Sequence, residues 1–224
     1  ATADELARTA DLVIGVGTRY TDFTTASGTL FARDGVRFLN LNIAPFDGHK
    51  LAGMPLIADA RSGLEELTQA LEIHDHRVAD SYVTEYTEDK DRWEHRVDAC
   101  YEADEPDVRP TQPQVLGVLD ALVDESDVIV NAAGSLPGDL HKLWRARSCD
   151  QYHVEYGYSC MGYEIPAAIG VKLAAPEREV FVMIGDGSYL MLPGELATAV
   201  AEGIKLVVVL VDNHGYASIG ALSR

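Results

Sequence analysis

Glu179-Val180-Phe181-Val182-Met183-Ile184-Gly185-Asp186-Gly187-Ser188 and, further on, Lys205-Leu206-Val207-Val208-Val209-Leu210-Val211-Asp212-Asn213-His214-Gly215-Tyr216 decide how this chain is read. Each begins as a near-continuous apolar run rich in β-branched residues, the texture of a strand buried on both faces. Each ends in small and polar residues. Pro193 to Gly203, between them, reads as a helix, so the pair forms a β-α-β unit. The crossover of such a unit brings both strand ends to one edge of a parallel sheet. Neighbouring strands lie about 5 Å apart. Asp186 and Asn213 therefore converge just beyond the carboxyl ends, where open α/β sheets bind ligands. The competing reading is a Gly-Asp-Gly hairpin with an unrelated Asn loop, but hairpin turns do not sit between two parallel-type buried strands.

The residue types at this edge suit magnesium, a hard cation that takes six oxygens, few of them from protein and many from phosphates. Asp186 supplies a carboxylate, Asn213 an amide oxygen, and Gly215 lets the backbone turn to present a carbonyl. Gly185 and Gly187 allow the main chain to approach a phosphate. A helix starting after Ser188 is expected to aim its positive N-terminus at that anion.

Outward from this unit, three regions differ in texture. In residues 1–73, strand-like runs (Asp11 to Gly17, Val36 to Ile43, Leu56 to Ala60) alternate with helical patterns, the last helix carrying Leu64, Leu67 and Leu71 as its apolar stripe. Residues 74–110 are polar, with Trp93, Val97 and Tyr101 at helical spacing, and read as an exposed linker helix whose exit is punctuated by Pro106, Pro110 and Pro113. Residues 111–224 return to alternation, with a helix from Gln114 to Leu122 and a strand from Asp127 to Asn131 running into Ala132-Ala133-Gly134-Ser135. That loop either offers amides and a hydroxyl to a diphosphate or is a plain strand-to-helix connection. The fold class expected is α/β, with two doubly wound parallel-sheet domains. Gly15-Val16-Gly17 begins like a dinucleotide fingerprint, but Tyr20 stands where the third glycine belongs. His74-Asp75-His76 reads as solvated linker rather than as a metal site.

The chain has 224 residues, 47% of them hydrophobic and 24% charged, and a formal net charge of −18. That charge repels phosphate backbones and anionic lipid, which argues against nucleic-acid and membrane partners. It also means that a bound diphosphate needs a metal or backbone amides beside it. Three cysteines (Cys100, Cys149 and Cys160), none in a Cys-x-x-Cys pair, fit a reduced, cytoplasmic compartment. The N-terminus has no signal-peptide texture, and the longest strongly apolar run, Leu206 to Val211, is too short to span a membrane.

Gly185-Asp186-Gly187-Ser188, the twenty-four residues from Ser188 to Val211, and the following Asp212-Asn213-x-Gly215 resemble the cofactor motif of thiamine diphosphate-dependent enzymes. Asp212 replaces the first Asn of the usual pair. Tyr158-Ser159-Cys160-Met161-Gly162-Tyr163-Glu164-Ile165-Pro166 is similar to a second segment of that family. The resemblance implies thiamine diphosphate and Mg2+ as cofactors. It implies Asp186, Asn213 and Gly215 as metal ligands, and cofactor contacts from Gly134, Ser135, Ser159, Met161, Gly185, Gly187, Ser188, His214 and Tyr216. Met161 would wedge between the two cofactor rings, and the backbone near Ser159 would face the aminopyrimidine. Glu164 departs from the small residue usual at its position.

Within the family, Gly15 to Thr25, Gly138 to Trp144, His153 to Tyr158 and Asn213 to Gly220 resemble the trihydroxycyclohexane-dione hydrolases of myo-inositol breakdown. This implies a C–C bond hydrolase that opens the ring of a small cyclic dione and works as a homo-oligomer, a dimer or tetramer. Residues 1–73 would then be the C-terminal part of a Rossmann-like middle domain, 74–110 a linker helix, and 111–224 a C-terminally truncated cofactor domain. No catalytic residue is assigned, because the activating glutamate of the family belongs to an N-terminal domain that nothing here matches. The chain is accordingly expected to be a fragment, inactive alone. The alternatives are another thiamine enzyme, such as an acetolactate synthase or 2-oxoacid decarboxylase, and a non-catalytic nucleotide-binding module built on Gly15 and Gly17.

Overall fold

The computed structural model describes residues 2–102 and 109–222; Pro106 lies outside them. The chain divides into two compact units, Ala1–His95 and Arg96–Arg224. Each holds a wholly parallel sheet. Among the described residues no helix is long and apolar enough to cross a membrane.

In the first unit, β1 (Leu12–Val16), β2 (Arg37–Asn42) and β3 (Met54–Ile57) lie in that order. The third strand starts two residues before the expected Leu56 and stops at Ile57, because Asp59 turns the chain into the helix Ala60–Ile73. The Asp59 carboxylate accepts from the Arg61 and Ser62 amides at 3.0 and 3.3 Å, capping two otherwise unpaired donors. The expected Leu stripe is not what docks this helix: Leu64 and Leu71 are both exposed, and the buried residue is Gly63, seated on Leu41. β1 also departs from expectation, since Leu12, Ile14 and Val16, which share one face, are each at least 40% exposed.

The Gly15-Val16-Gly17 turn encloses a side chain. The Tyr20 ring lies directly against Gly15, donates from its hydroxyl to Asn40 Oδ1 at 2.6 Å, and meets Phe31 and Phe38 edge-on. Asn40, buried, donates in turn to the Gly48 and Lys50 carbonyls. His74, Asp75 and His76 are exposed, and Asp75 pairs with Arg77.

The helix Asp80–Tyr101 begins in the first unit and ends in the second. Its last turns are not the exposed connector the composition suggests. Val97 is buried, the Tyr101 hydroxyl donates to the Leu143 carbonyl at 2.5 Å, and Gly117 lies flush against the Tyr101 ring. The polar residues around them occupy the solvated side.

In the second unit, β4 (Val128–Asn131), β5 (Tyr152–Val154), β6 (Val180–Gly185) and β7 (Val207–Val211) are ordered β5-β4-β6-β7. The chain winds one way from β4 to β5, then returns to the other side of β4 for β6 and β7. The order therefore reverses between β4 and β6, the kind of crevice in which open parallel sheets hold ligands. β4 is buried throughout. Val128, Val130, Val182 and Ile184 pack with Ile165, Ala168 and Ile169 of the helix Glu164–Ala174. Such a core supplies rigid strand ends at the crevice.

Candidate functional site

The segments at the carboxyl ends of β4, β6 and β7 carry Gly134, Ser135, Asp186 and Asn213. β6 and β7 are hydrogen-bonded neighbours with Gly185 opposite Val211, so the segments that follow start side by side. Asp186 opens a single helical turn, Asp186–Tyr189, and the next helix begins only at Glu195. The helix expected after Ser188, with its N-terminus toward an anion, is thus not formed there. The turn instead buries Gly187 and Ser188.

Asp186 Oδ2 accepts from the Gly215 amide at 2.7 Å and Oδ1 from the Asn213 amide at 3.4 Å, which folds the loop after β7 over the carboxylate. Gly215 adopts φ 109°, a conformation that favours glycine. One end of the Asn213 carboxamide lies 3.2 Å from Asp186 Oδ1 and 2.9 Å from the Gly215 carbonyl. Its other end lies 2.9 Å from Ser135 Oγ and 3.1 Å from Gln112 Oε1. With the amide oxygen at the first end, three oxygens converge. Both spacings are close to the edge of an octahedron whose ligands sit about 2.1 Å from its centre, roughly 3.0 Å. Among the described residues no three His, Cys, Asp or Glu side chains cluster as a metal centre. A set of one carboxylate, one amide and one carbonyl suits a hard cation that completes its shell from a ligand and water.

Ser135 reaches the same place from β4. Gly134, at φ 127°, precedes the helix Ser135–Leu143, whose first residue donates from its hydroxyl to Gln112 Oε1 at 3.3 Å. Gln112 comes from the start of the helix Gln112–Leu122, two residues earlier than its apolar pattern suggests, because Thr111 and Gln114 form a capping box. The Gln112 amide donates to Asp139 Oδ2 at 2.7 Å.

A second knot ties the Gly-Asp-Gly-Ser turn to the Met161 segment. The Gly162 amide donates to Ser188 Oγ at 2.8 Å, and the Ser188 hydroxyl donates to Glu164 Oε1 at 2.6 Å. Glu164 is 1% exposed, and burial raises its carboxyl above the ordinary glutamate range. Its Oε2 is buried and finds no partner among the described residues. Met161 is half-buried, and Gly162, at φ 87°, lies close under Met191 and Leu192. Ser159 is exposed with φ 56°. Its turn is gathered by Glu155, whose carboxylate accepts from the Cys160 and Tyr158 amides at 2.6 and 2.8 Å; these bonds hold its pKa below the usual range.

The structure therefore gathers Ser135, Asp186, Asn213 and Gly215 at one point, and links Met161 to them through Gly162 and Ser188. Gly187 lies beneath the Tyr216 ring, where a Cβ would stand 3.0 Å from two ring carbons. That close packing accounts for the glycine there. His214 is exposed and pairs with Asp212 at 3.1 Å. Gln112 and Asp139 were missed by sequence reasoning. The Thr-x-x-Gln capping box signals where that helix starts, but nothing local says what the helix start touches.

Residues 1–67 match the thiamine pyrophosphate enzyme central domain, and residues 132–224 match the thiamine pyrophosphate enzyme C-terminal TPP binding domain. The chain is similar to 3D-(3,5/4)-trihydroxycyclohexane-1,2-dione hydrolase of Bacillus thuringiensis (strain Al Hakam), at 44% identity over 98% of this chain and 37% of that protein. The protein of the same name from Clostridium tetani is 42% identical over the same shares. The chain thus spans 37% of the length of these curated relatives.

Proposed function

Because the chain belongs to the thiamine pyrophosphate enzymes, we propose that its second unit holds Mg2+ and the diphosphate of thiamine diphosphate, in an enzyme that hydrolytically opens the ring of trihydroxycyclohexane-1,2-dione. The observation that carries the cofactor reading is that the Asp186 carboxylate, one end of the Asn213 carboxamide and the Gly215 carbonyl come together at the β6–β7 edge. On this reading, residues 1–73 are middle domain, 74–110 the connection and 111–224 cofactor domain. The ring-opening substrate rests on the named relatives.

The chain's own residues divide the work. Asp186, Asn213 and the Gly215 carbonyl hold the cation, whose charge locally counters the negative field of a chain at −18 that would otherwise repel a diphosphate. Gly134 and Ser135, with Gly185, Gly187 and Ser188, shape the cradle around the phosphates. Met161, seated beside Gly162, would wedge between the two cofactor rings, with Ser159, His214 and Tyr216 as further cofactor contacts. Thiamine diphosphate, when bound, supplies the carbanion chemistry that cleaves carbon–carbon bonds, and the protein binds and orients it. The reading as a non-catalytic nucleotide-binding module loses its ground at Gly15, whose open side is filled by the Tyr20 ring.

The test is Asp186→Ala, followed by calorimetric titration of thiamine diphosphate with and without Mg2+. Removing the charged ligand should weaken Mg2+-dependent binding by more than about 100-fold, since even outer partners of a metal typically contribute about 10- to 100-fold. Equal affinity in variant and wild type would refute the cofactor assignment. Turnover of the cyclic dione against pyruvate, assayed in a protein of the relatives' full length that contains this chain, separates the ring-opening reading from an acetolactate synthase or decarboxylase.

A further inference from the structure

We infer that Asp139 and Gln112 are positioning residues, which fix the Asn213 amide in its cation-binding orientation through a directed chain of hydrogen bonds. The inference rests on the reading of Asp186, Asn213 and Gly215 as cation ligands, and adds to it the device that orients one of them.

The two ends of a carboxamide have nearly the same shape and differ in what they can do: one only accepts, the other only donates. The chain starts at Asp139, on the helix Ser135–Leu143. A carboxylate accepts, so the end of the Gln112 amide 2.7 Å from Asp139 Oδ2 is its NH2. Gln112 Oε1 is then left facing Asn213 at 3.1 Å and Ser135 Oγ at 3.3 Å. Across from an acceptor, Asn213 presents its NH2, which also donates to Ser135 Oγ at 2.9 Å. The Asn213 oxygen is thereby turned toward Asp186 Oδ1 and the Gly215 carbonyl, 3.2 and 2.9 Å away.

Reversing Asn213 would give those two acceptors a donor, but would set its own oxygen against Gln112 Oε1 at 3.1 Å. Turning Gln112 as well would only move the conflict to Asp139, where two acceptors would face each other at 2.7 Å. At least one like-with-like contact remains in every arrangement of these side chains. A cation among the Asn213, Asp186 and Gly215 oxygens is what removes it while the bond to Asp139 stays intact. Gln112 sits in the first turn of one regular helix and Asp139 in the second turn of another, so the anchor is held by rigid elements. Outer partners of this kind orient metal ligands and set affinity.

The experiment is calorimetric titration of Mg2+ into the full chain with saturating thiamine diphosphate, with melting temperature followed in parallel. Asp139→Asn lets the residue facing Gln112 either donate or accept, which removes the direction of the chain. It should weaken Mg2+ binding about tenfold, the lower end of typical outer-partner effects. The double variant Gln112→Glu with Asp139→Asn restores an acceptor facing Asn213 and a donor facing residue 112 at unchanged net charge. It should bring affinity back to within about threefold of wild type, a recovery that general destabilisation would not produce. Wild-type Mg2+ affinity in Asp139→Asn, or a double variant no tighter than that single one, overturns the inference. Asp186→Ala in the same titration separates the two layers. If it abolishes binding while Asp139→Asn matches wild type, only the orienting chain falls. If it binds like wild type, the cation site falls and the chain with it.

Discussion

Glu164 shows how a single side chain can be visible in a sequence and still unreadable there. Its departure from a small residue stands out, but its role depends on Ser188, twenty-four positions later, whose hydroxyl it accepts. Because burial raises its pKa above 4.5, the native chain holds the proton more tightly than the unfolded chain. The stability from this group is therefore full below about pH 4.5 and drains away as pH rises through the raised native value. Glu164→Gln keeps an acceptor for Ser188 and has no proton to lose. The difference in melting temperature, variant minus wild type, should grow more positive between about pH 4 and pH 8; a difference flat across that range would mean that the native pKa is not raised. Asp186 and Asn213 were legible for the opposite reason. Their positions follow from where two apolar runs stop, and strand ends are a local property of sequence. Gln112 shares Glu164's difficulty, since it meets Asn213 across 101 positions.

At the scale of elements, parallel strands and their order of appearance follow from alternation of texture, and the boundaries depend on single caps such as Asp59 and Thr111. Burial was the less legible quantity. An apolar run reports that a strand prefers cover, while Leu12, Ile14 and Val16 are largely exposed in the described structure. The helix Asp80–Tyr101 errs the other way, because a mostly charged segment still inserts Val97 and Tyr101 at its end. The helix Ala60–Ile73 gives a sharp test. A Cβ at Gly63 would stand 2.5 Å from Leu41 Cδ1 and 2.9 Å from Cδ2, and Leu41 is 1% exposed with little room to retreat. Alanine improves helix propensity by about 1 kcal/mol. Overpacking a filled core costs about 1–3 kcal/mol. The second effect should win, so Gly63→Ala should lower stability by about 1 kcal/mol in denaturant unfolding, whereas a stabilised variant would show that Leu41 repacks freely.

For the whole molecule, the division into two units confines the proposed cofactor site to the second, since Gln112, Ser135, Asp186 and Asn213 all lie after residue 95. Addition of Mg2+ and thiamine diphosphate should slow amide hydrogen exchange at the carboxyl ends of β4, β6 and β7 and leave β1–β3 unchanged. Equal slowing in both sheets would contradict a site carried by one unit. The bond between Gln112 and Asn213 has a temporal side as well. Contacts this distant along the chain close late, after the segments between them have formed. The last loops to settle are then the ones a cofactor grips, and at a hundredfold excess over its Kd a ligand adds about 2.7 kcal/mol to the native state. On the proposed reading, vitamin supply becomes a matter of protein turnover: a cell short of thiamine would lose this protein to its proteases as well as losing its catalysis.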